Sequence, residues 1–223
     1  MIGFQIRERT RKVDAEVVEN FRGLPVANIS DCMARMTAGG AALRPVREGG
    51  VLSGAAVTVK TRPGDNLMIH KALDMAEPGD VIVVDAGGEL SNALIGELMV
   101  GYAIHRKLGG MVIHGAIRDT AVLRAAALPV YAVGVTHRGP YKDGPGEINV
   151  PVAIAGMVVH PGDLIVGDDD GVLCIPFADV GAIYVEVCRK MQEEARTIAN
   201  IESGRHDTSW VDARLRGLGC AVP

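Results

Sequence analysis

Three residues of this chain have the types and spacing for a shared metal-assisted reaction: Glu97, then Arg118 and Asp119 after twenty intervening residues. Two carboxylates beside an arginine suit a hard cation and an anionic substrate. Carboxylate oxygens ligate such ions, and a guanidinium grips a carboxylate through paired hydrogen bonds. The pattern between them says how they could meet. Gly87 and Gly88 make a turn, residues 93–108 read as an amphipathic helix, and residues 110–114 read as an apolar strand that runs toward the Arg-Asp pair. One strand–helix–strand unit would carry all three to one end of a sheet. Loops beyond strand ends are where α/β proteins place ligand sites.

Each member also has a purely structural reading. Arg118 and Asp119 could be a surface ion pair, or a cap for a helix at 120–127. Gly96 could simply let a helix pack closely on a strand. If the helix starts at Asn92 or Gly96, however, the free N–H groups of Gly96, Glu97, Leu98 and Met99 form a candidate anion site. His114 lies within an apolar strand and reads as a core or supporting group. His70 shares a helix face with Asn66 and could point toward a site. His137 and Arg138 fall in a long loop. No histidine or cysteine pair has zinc-site spacing. The run Asp168-Asp169-Asp170-Gly171 lacks the alternating ligands and final Glu of a calcium loop, so it reads as a tight acidic turn. Neither GxSxG nor GxGxxG occurs. Of Lys60, Lys71, Lys107 and Lys142, only Lys60 lies in a strand-like segment, and nothing around it looks desolvating enough to make an imine-forming amine. The balance leans to metal-assisted chemistry.

The elements that must position these residues follow from periodicity and turn chemistry. Helices are expected at 12–21, at 32–36 after Ser30-Asp31, at 66–76 behind Asp65, and over 178–201. Strands are expected at 54–61, 81–85, 130–135, 150–157, 164–167 and 172–175. The continuous apolar run at 81–85 implies burial on both faces. Residues 136–149 read as a Gly/Pro-rich loop without periodicity, of a length usually reserved for function or mobility. Pro-Gly-Asp recurs at Pro63, Pro78 and Pro161, but at unequal spacing, so no repeat is implied.

The 223 residues fit one α/β domain over 1–201 with a tail over 202–223 that could pack on a neighbouring subunit. High Gly, Ala and Val with few aromatics is the profile of a compact α/β enzyme. A net charge of −4 and the lack of a basic stripe give no reason to expect nucleic acid. Cys32, Cys174, Cys188 and Cys220 are scattered and read as reduced thiols. With a charged N-terminus and no membrane-length apolar run, no membrane association is expected and the expected location is the cytoplasm.

The segment GELMVGYAIHRKLGGMVIHGAIRD, with DNLMIHKAL, PGDVIVVD, GPGEINVPV and PGDLIVGDDDGVLCIP around it, resembles the class II pyruvate aldolases. These cleave 4-hydroxy-4-methyl-2-oxoglutarate and 4-carboxy-4-hydroxy-2-oxoadipate, and they share fold and signature with regulators of ribonuclease activity. The resemblance spans roughly residues 20–200. It implies a central sheet with helices on both sides, similar to the swivelling β/β/α type, assembled as a trimer or hexamer. It implies that Asp119 binds Mg²⁺ or Mn²⁺, that Arg118 contacts substrate, and that Glu97 holds metal-bound water. Gly96, Glu97, Leu98 and Met99 would receive the carboxylate of a small 2-oxo acid. Glu194, or Glu193, would come from another subunit. The implied activity is aldol cleavage to pyruvate with oxaloacetate decarboxylation through the same enolate. The alternative is a non-catalytic regulator that binds a ribonuclease. His114 stands where many relatives have an acid.

Overall fold

The computed structural model describes residues 1–222, so Pro223 of the expected tail lies outside the described residues. In chain order the elements are β1 (Phe4–Ile6), α1 (Ala15–Phe21), α2 (Val26–Cys32), β2 (Arg44–Pro45), β3 (Leu52–Thr61), α3 (Leu67–Met75) and β4 (Val81–Asp85). There follow β5 (Ala93–Ile95), α4 (Glu97–His105), β6 (Gly110–Ile117), α5 (Thr120–Ala125), β7 (Val130–Val135), β8 (Gly146–Ile148), β9 (Val152–Ile154) and β10 (Met157–Val159). The chain continues through β11 (Leu164–Asp168), β12 (Gly171–Ile175), α6 (Val180–Glu202) and α7 (Ser209–Gly217).

The result is an α/β protein built on a ten-stranded central sheet flanked by helices. Strands β3, β4, β6 and β7 lie side by side and parallel. Helices α3, α4 and α5 make the crossovers between them. Alternation along β4 shows how the sheet is buried. Ile82 and Val84 pack with Ile69, Leu73 and Val100 of α3 and α4. Val81 and Val83 face the other way, onto Ile154 and Met157 of the β9–β10 hairpin. Both faces are thus dry, which explains the unbroken apolar run, and each such side chain contributes about 1.5–3 kcal/mol by burial. A third cluster joins Phe21, Ile29 and Val187 of α1, α2 and α6 to Leu164, Val166 and Ile175 of β11 and β12.

Four local expectations are corrected. Residues 93–95 are not the first turn of a helix; they form β5, paired with Ala116 and Ile117 of β6, and the helix begins only after Gly96. Tertiary pairing overrides the local pattern there. The helix expected at 32–36 lies earlier, as α2, with Ser30 and Asp31 inside it. Buried Ile29 anchors that helix, and positive φ angles at Ala34 and Arg35 end it. The single strand expected over 150–157 is a hairpin, turned at Ala155-Gly156, where both φ angles are positive. The long loop at 136–149 contains β8, which sits in the main sheet between β1 and β3.

Helix α6 presents Val180, Ile183, Val187 and Met191 to the third cluster, as its period required. No residue of α7 is buried, and Trp210 is 64% exposed. All four cysteines are free thiols. Among the described residues no helix is long and apolar enough to cross a membrane.

Candidate active site

A cleft of about 310 Å³ opens at the carboxyl ends of β5 and β6. Gly96, Leu98, Met99, Arg118 and Asp119 all line it. The approach of the two chain segments is set by backbone bonds. Arg118 N–H donates to the Ile95 carbonyl at 3.0 Å, and Glu97 N–H donates to Asp119 Oδ2 at 3.0 Å.

Gly96 is required by space rather than by conformation. Its φ of −158° is ordinary extended backbone. A Cβ there would overlap the Asp119 carboxylate and come within 3.0 Å of Arg118 Cγ. Gly96 also caps α4, so the first-turn N–H groups have no intrahelical acceptor. Asp119 takes the one from Glu97. Those of Leu98 and Met99 belong to cleft residues and sit at the positive end of the helix dipole, a place suited to an anion.

Asp119 combines the two readings its sequence position allowed. Its backbone is left-handed, at φ 59° and ψ 36°, a conformation that Asp tolerates better than most residues. Its carbonyl accepts from Val122 and Leu123 N–H at 3.0 and 3.1 Å, so the residue starts α5. Its carboxylate nevertheless faces the cleft. Arg118 Nε lies 3.7 Å from Asp119 Oδ2, and both side chains are about two-fifths exposed. An ion pair that open adds little to stability. Arg118 and Asp119 thus hold opposite charges side by side at the cleft wall, within reach of solvent.

Glu97 contributes its N–H to this arrangement, while its side chain is exposed at the first position of α4 and does not line the cleft. Glu194 lies elsewhere, on the face of α6 that packs on α2. It accepts from Asn28 Nδ2 at 2.6 Å and from Lys190 Nζ at 3.1 Å, and these bonds hold its carboxyl below the usual range. Lys190 also reaches Asp31 at 3.0 Å. Glu193 instead pairs with Arg189 at 2.5 Å on the exposed side of the same helix.

Asn66, His70 and Lys142 complete the cleft wall. The sequence puts the first two on one helix face, whereas Lys142 stands out there only as a possible imine former. Asn66 is buried, with Nδ2 donating to the Leu94 carbonyl at 2.8 Å and Oδ1 left without a partner. Burial, and then the charge of Lys142, push the pKa of His70 down. What joins these residues is Asp65, one position before Asn66, through bonds that no local sequence signal marks. Its fully buried carboxylate accepts from Leu67, Asp143 and Gly144 N–H at 2.7–2.9 Å, which pins the long loop to the start of α3.

The other polar candidates are structural. His114 Nδ1 sits 3.3 Å from Asp85 Oδ1, away from the cleft lining. Asp168 accepts from Val26 and Asp170 N–H at 2.9 Å, which makes the acidic run a turn that also fastens α2. Among the described residues no three His, Cys, Asp or Glu side chains converge on a metal position. One open carboxylate, Asp119, still fits Mg²⁺, which keeps most of its waters and takes one or two protein oxygens.

A family model described as RraA-like, Aldolase/RraA, matches residues 26–174. A protein of Halalkalibacterium halodurans, provisionally named a 4-hydroxy-4-methyl-2-oxoglutarate aldolase, is 39% identical over 186 residues, covering 83% of this chain and 89% of its own. Streptomyces coelicolor RraAS2, described as an unusual member of the RNase ES inhibitor RraA family, superposes with a TM-score of 0.76 at 26% identity. That match covers 83% of this chain and 96% of the other. The RNA-processing inhibitor RraA from Thermus thermophilis superposes with a TM-score of 0.63 at 31% identity, over 68% of this chain and 92% of its own.

Proposed function

Since the chain belongs to the RraA-like Aldolase/RraA family, we propose that it is a divalent-metal-dependent lyase. It would cleave a 4-hydroxy-2-oxo acid to pyruvate and a second oxo acid, and decarboxylate oxaloacetate through the same pyruvate enolate. One observation carries this reading: Arg118, the Asp119 carboxylate and the free N–H end of α4 all face one cleft.

In the retro-aldol step the C3–C4 bond breaks. Its electron pair becomes the enolate of pyruvate, and the C4 hydroxyl gives up its proton as the new carbonyl forms. The N–H groups of Leu98 and Met99 would hold the substrate carboxylate at the start of α4. Arg118 would set its charge where negative charge grows on the enolate oxygen; one such donor is typically worth about 10²–10³ in kcat. Glu97, exposed at the rim, would accept the hydroxyl proton through a water. Asp119 would hold Mg²⁺ or Mn²⁺, both of which accept oxygen ligands. When bound, the ion supplies Lewis acidity toward the 2-oxo group. Decarboxylation needs the charge of Arg118 but no hydroxyl base, so one site serves both reactions.

The reading includes a homotrimer or hexamer. Glu194 lies on α6, which packs on α1 and α2 rather than at the cleft, so to serve the cleft of a neighbouring copy it would have to give up Asn28 and Lys190. The exposed apolar residues Ile198 and Ile201 of α6 and Trp210 of the tail offer a surface to bury in such an assembly. Light scattering should return a trimer or hexamer; a fully active monomer would refute this part.

The decisive assay is pyruvate release from oxaloacetate and from a 4-hydroxy-2-oxo acid, after EDTA treatment and again with Mg²⁺ restored. Activity should vanish and return. Full activity without metal, with borohydride trapping of an enzyme–substrate adduct, would point to an imine instead. The structural likeness to RraA supports a second reading, a regulator that covers a ribonuclease and needs no metal. Absence of pyruvate release under every metal condition would favour it.

A further inference from the structure

We propose that Asn92 is a positioning residue for Arg118 and acts on it through Gly139. This deepens the lyase reading and rests on it. The Arg118 side chain is 42% exposed, and the Asp119 carboxylate approaches its Nε at 3.7 Å. A long side chain that open has many rotamers within reach. Charge stabilisation, by contrast, requires a donor already in place when the negative charge grows. Two glycines border the guanidinium. A Cβ at Gly96 would come within 3.2 Å of Arg118 Nε, and a Cβ at Gly139 within 3.2 Å of Nη1. Gly96 thus flanks the near end of the fork and Gly139 the far end, and both line the cleft with Arg118.

Gly139 belongs to the loop after β7, but its place is fixed from the start of β5. Asn92, the residue before β5, is buried, and its Nδ2 donates to the Gly139 carbonyl at 2.5 Å. One residue on, Ala93 N–H donates to the Arg138 carbonyl at 2.8 Å. Asn92 is itself wedged in place. A Cβ at Gly64 would lie 3.2 Å from both Asn92 Cβ and Asn92 Oδ1, and the Gly64 carbonyl accepts from Tyr141 N–H at 2.8 Å. Gly139 and Tyr141, on either side of Pro140, are therefore tied to one joint between Gly64 and Asn92. The bare backbone of Gly139 then forms a close wall for the guanidinium. Without the Asn92 amide, the Gly139 carbonyl would turn to water and the wall would shift. Arg118 would regain rotamers that miss the reacting centre, although no group that touches substrate has changed.

The test is a double-mutant cycle on pyruvate release from oxaloacetate with Mg²⁺. Asn92→Ala, Gly139→Ala and Arg118→Ala are measured singly, and the first two again in the Arg118→Ala background. Each is checked for wild-type circular dichroism and assembly size, and for Mn²⁺ affinity by titration calorimetry. Asn92→Ala and Gly139→Ala should each lose about 10-fold in kcat, a part of the 10²–10³ that losing such a donor typically costs, with KM and Mn²⁺ affinity little changed. In the Arg118→Ala background neither should cost more than about twofold further, because residues that act through one group do not add. A merely structural role would add its loss in full. Gly139→Ala removes no buried polar group, so it carries the test if Asn92→Ala does not fold. Wild-type kcat in folded Gly139→Ala, or a loss that persists undiminished beside Arg118→Ala, overturns the proposal while the lyase reading stands. A wild type that releases no pyruvate overturns the lyase reading, and this proposal with it.

Discussion

The backbone N–H of Glu97 donates to the carboxylate of Asp119 at 3.0 Å. This bond ties the first residue of α4 to the residue that starts α5, across 22 positions of sequence. It fixes where a helix terminus, an arginine and an acid meet.

Gly96 should be intolerant of any side chain although its backbone is unstrained. Gly96→Ala places a methyl group against the Asp119 carboxylate and Arg118 Cγ. Both must then move, and displacement of catalytic groups by about 1 Å can cost 10²-fold. Pyruvate release should fall by about that factor while the thermal midpoint changes little. An active Gly96→Ala enzyme would show that this junction is not the reacting centre.

Asp119 and Arg118 should separate by substitution. Asp119→Asn keeps a residue that tolerates left-handed backbone and an oxygen for the Glu97 N–H, so it should fold yet lose metal affinity, read by titration calorimetry with Mn²⁺. Arg118→Ala should bind metal and lose about 10²–10³ in kcat. Arg118→Lys should recover only part, since a point charge does not replace the planar fork. Glu97→Gln should harm aldol cleavage more than oxaloacetate decarboxylation. Folded Asp119→Asn and Arg118→Ala proteins with wild-type rates would place the chemistry elsewhere.

Asp65 should be a stability residue with a functional consequence. Asp65→Ala leaves the N–H groups of Leu67, Asp143 and Gly144 without their acceptor. Leu67 and Asp143 are exposed and their N–H groups can turn to water, while Gly144 is buried. One buried unsatisfied group costs about 1–3 kcal/mol, so the loss should be about that much in urea unfolding. Limited proteolysis should also open within 136–145. A loss below about 1 kcal/mol would mean that other contacts hold the loop.

His70 should make stability depend on pH in a defined direction. Its folded pKa is pushed below the ordinary value, so the unfolded chain binds the proton more readily. Its contribution is whole above about pH 6.5 and is lost as pH falls from there through the folded pKa. Urea unfolding at neutral pH and one to two units below it should show a larger loss for the wild type than for His70→Gln. Equal losses would show that His70 is not desolvated by the cleft wall.

The sequence alone carried whatever depends on neighbours along the chain. The period of α6, the double-sided burial of β4, the acidic turn at Asp168 and the Glu97/Arg118/Asp119 spacing were legible because side-chain periodicity and turn chemistry are local. What was hidden depended on partners far away in sequence. Ala93–Ile95 is a strand because β6 offers its edge there, and Gly146–Ile148 is a strand because β3 and β1 flank it. The same holds for the cleft. Lys142 meets Asn66 and His70 because the buried Asp65 carboxylate draws the loop onto α3, 78 positions away. Nothing in the local pattern of either segment announces that bond. A buried charge takes whichever donors the tertiary structure brings to it, and only the folded chain says which those are.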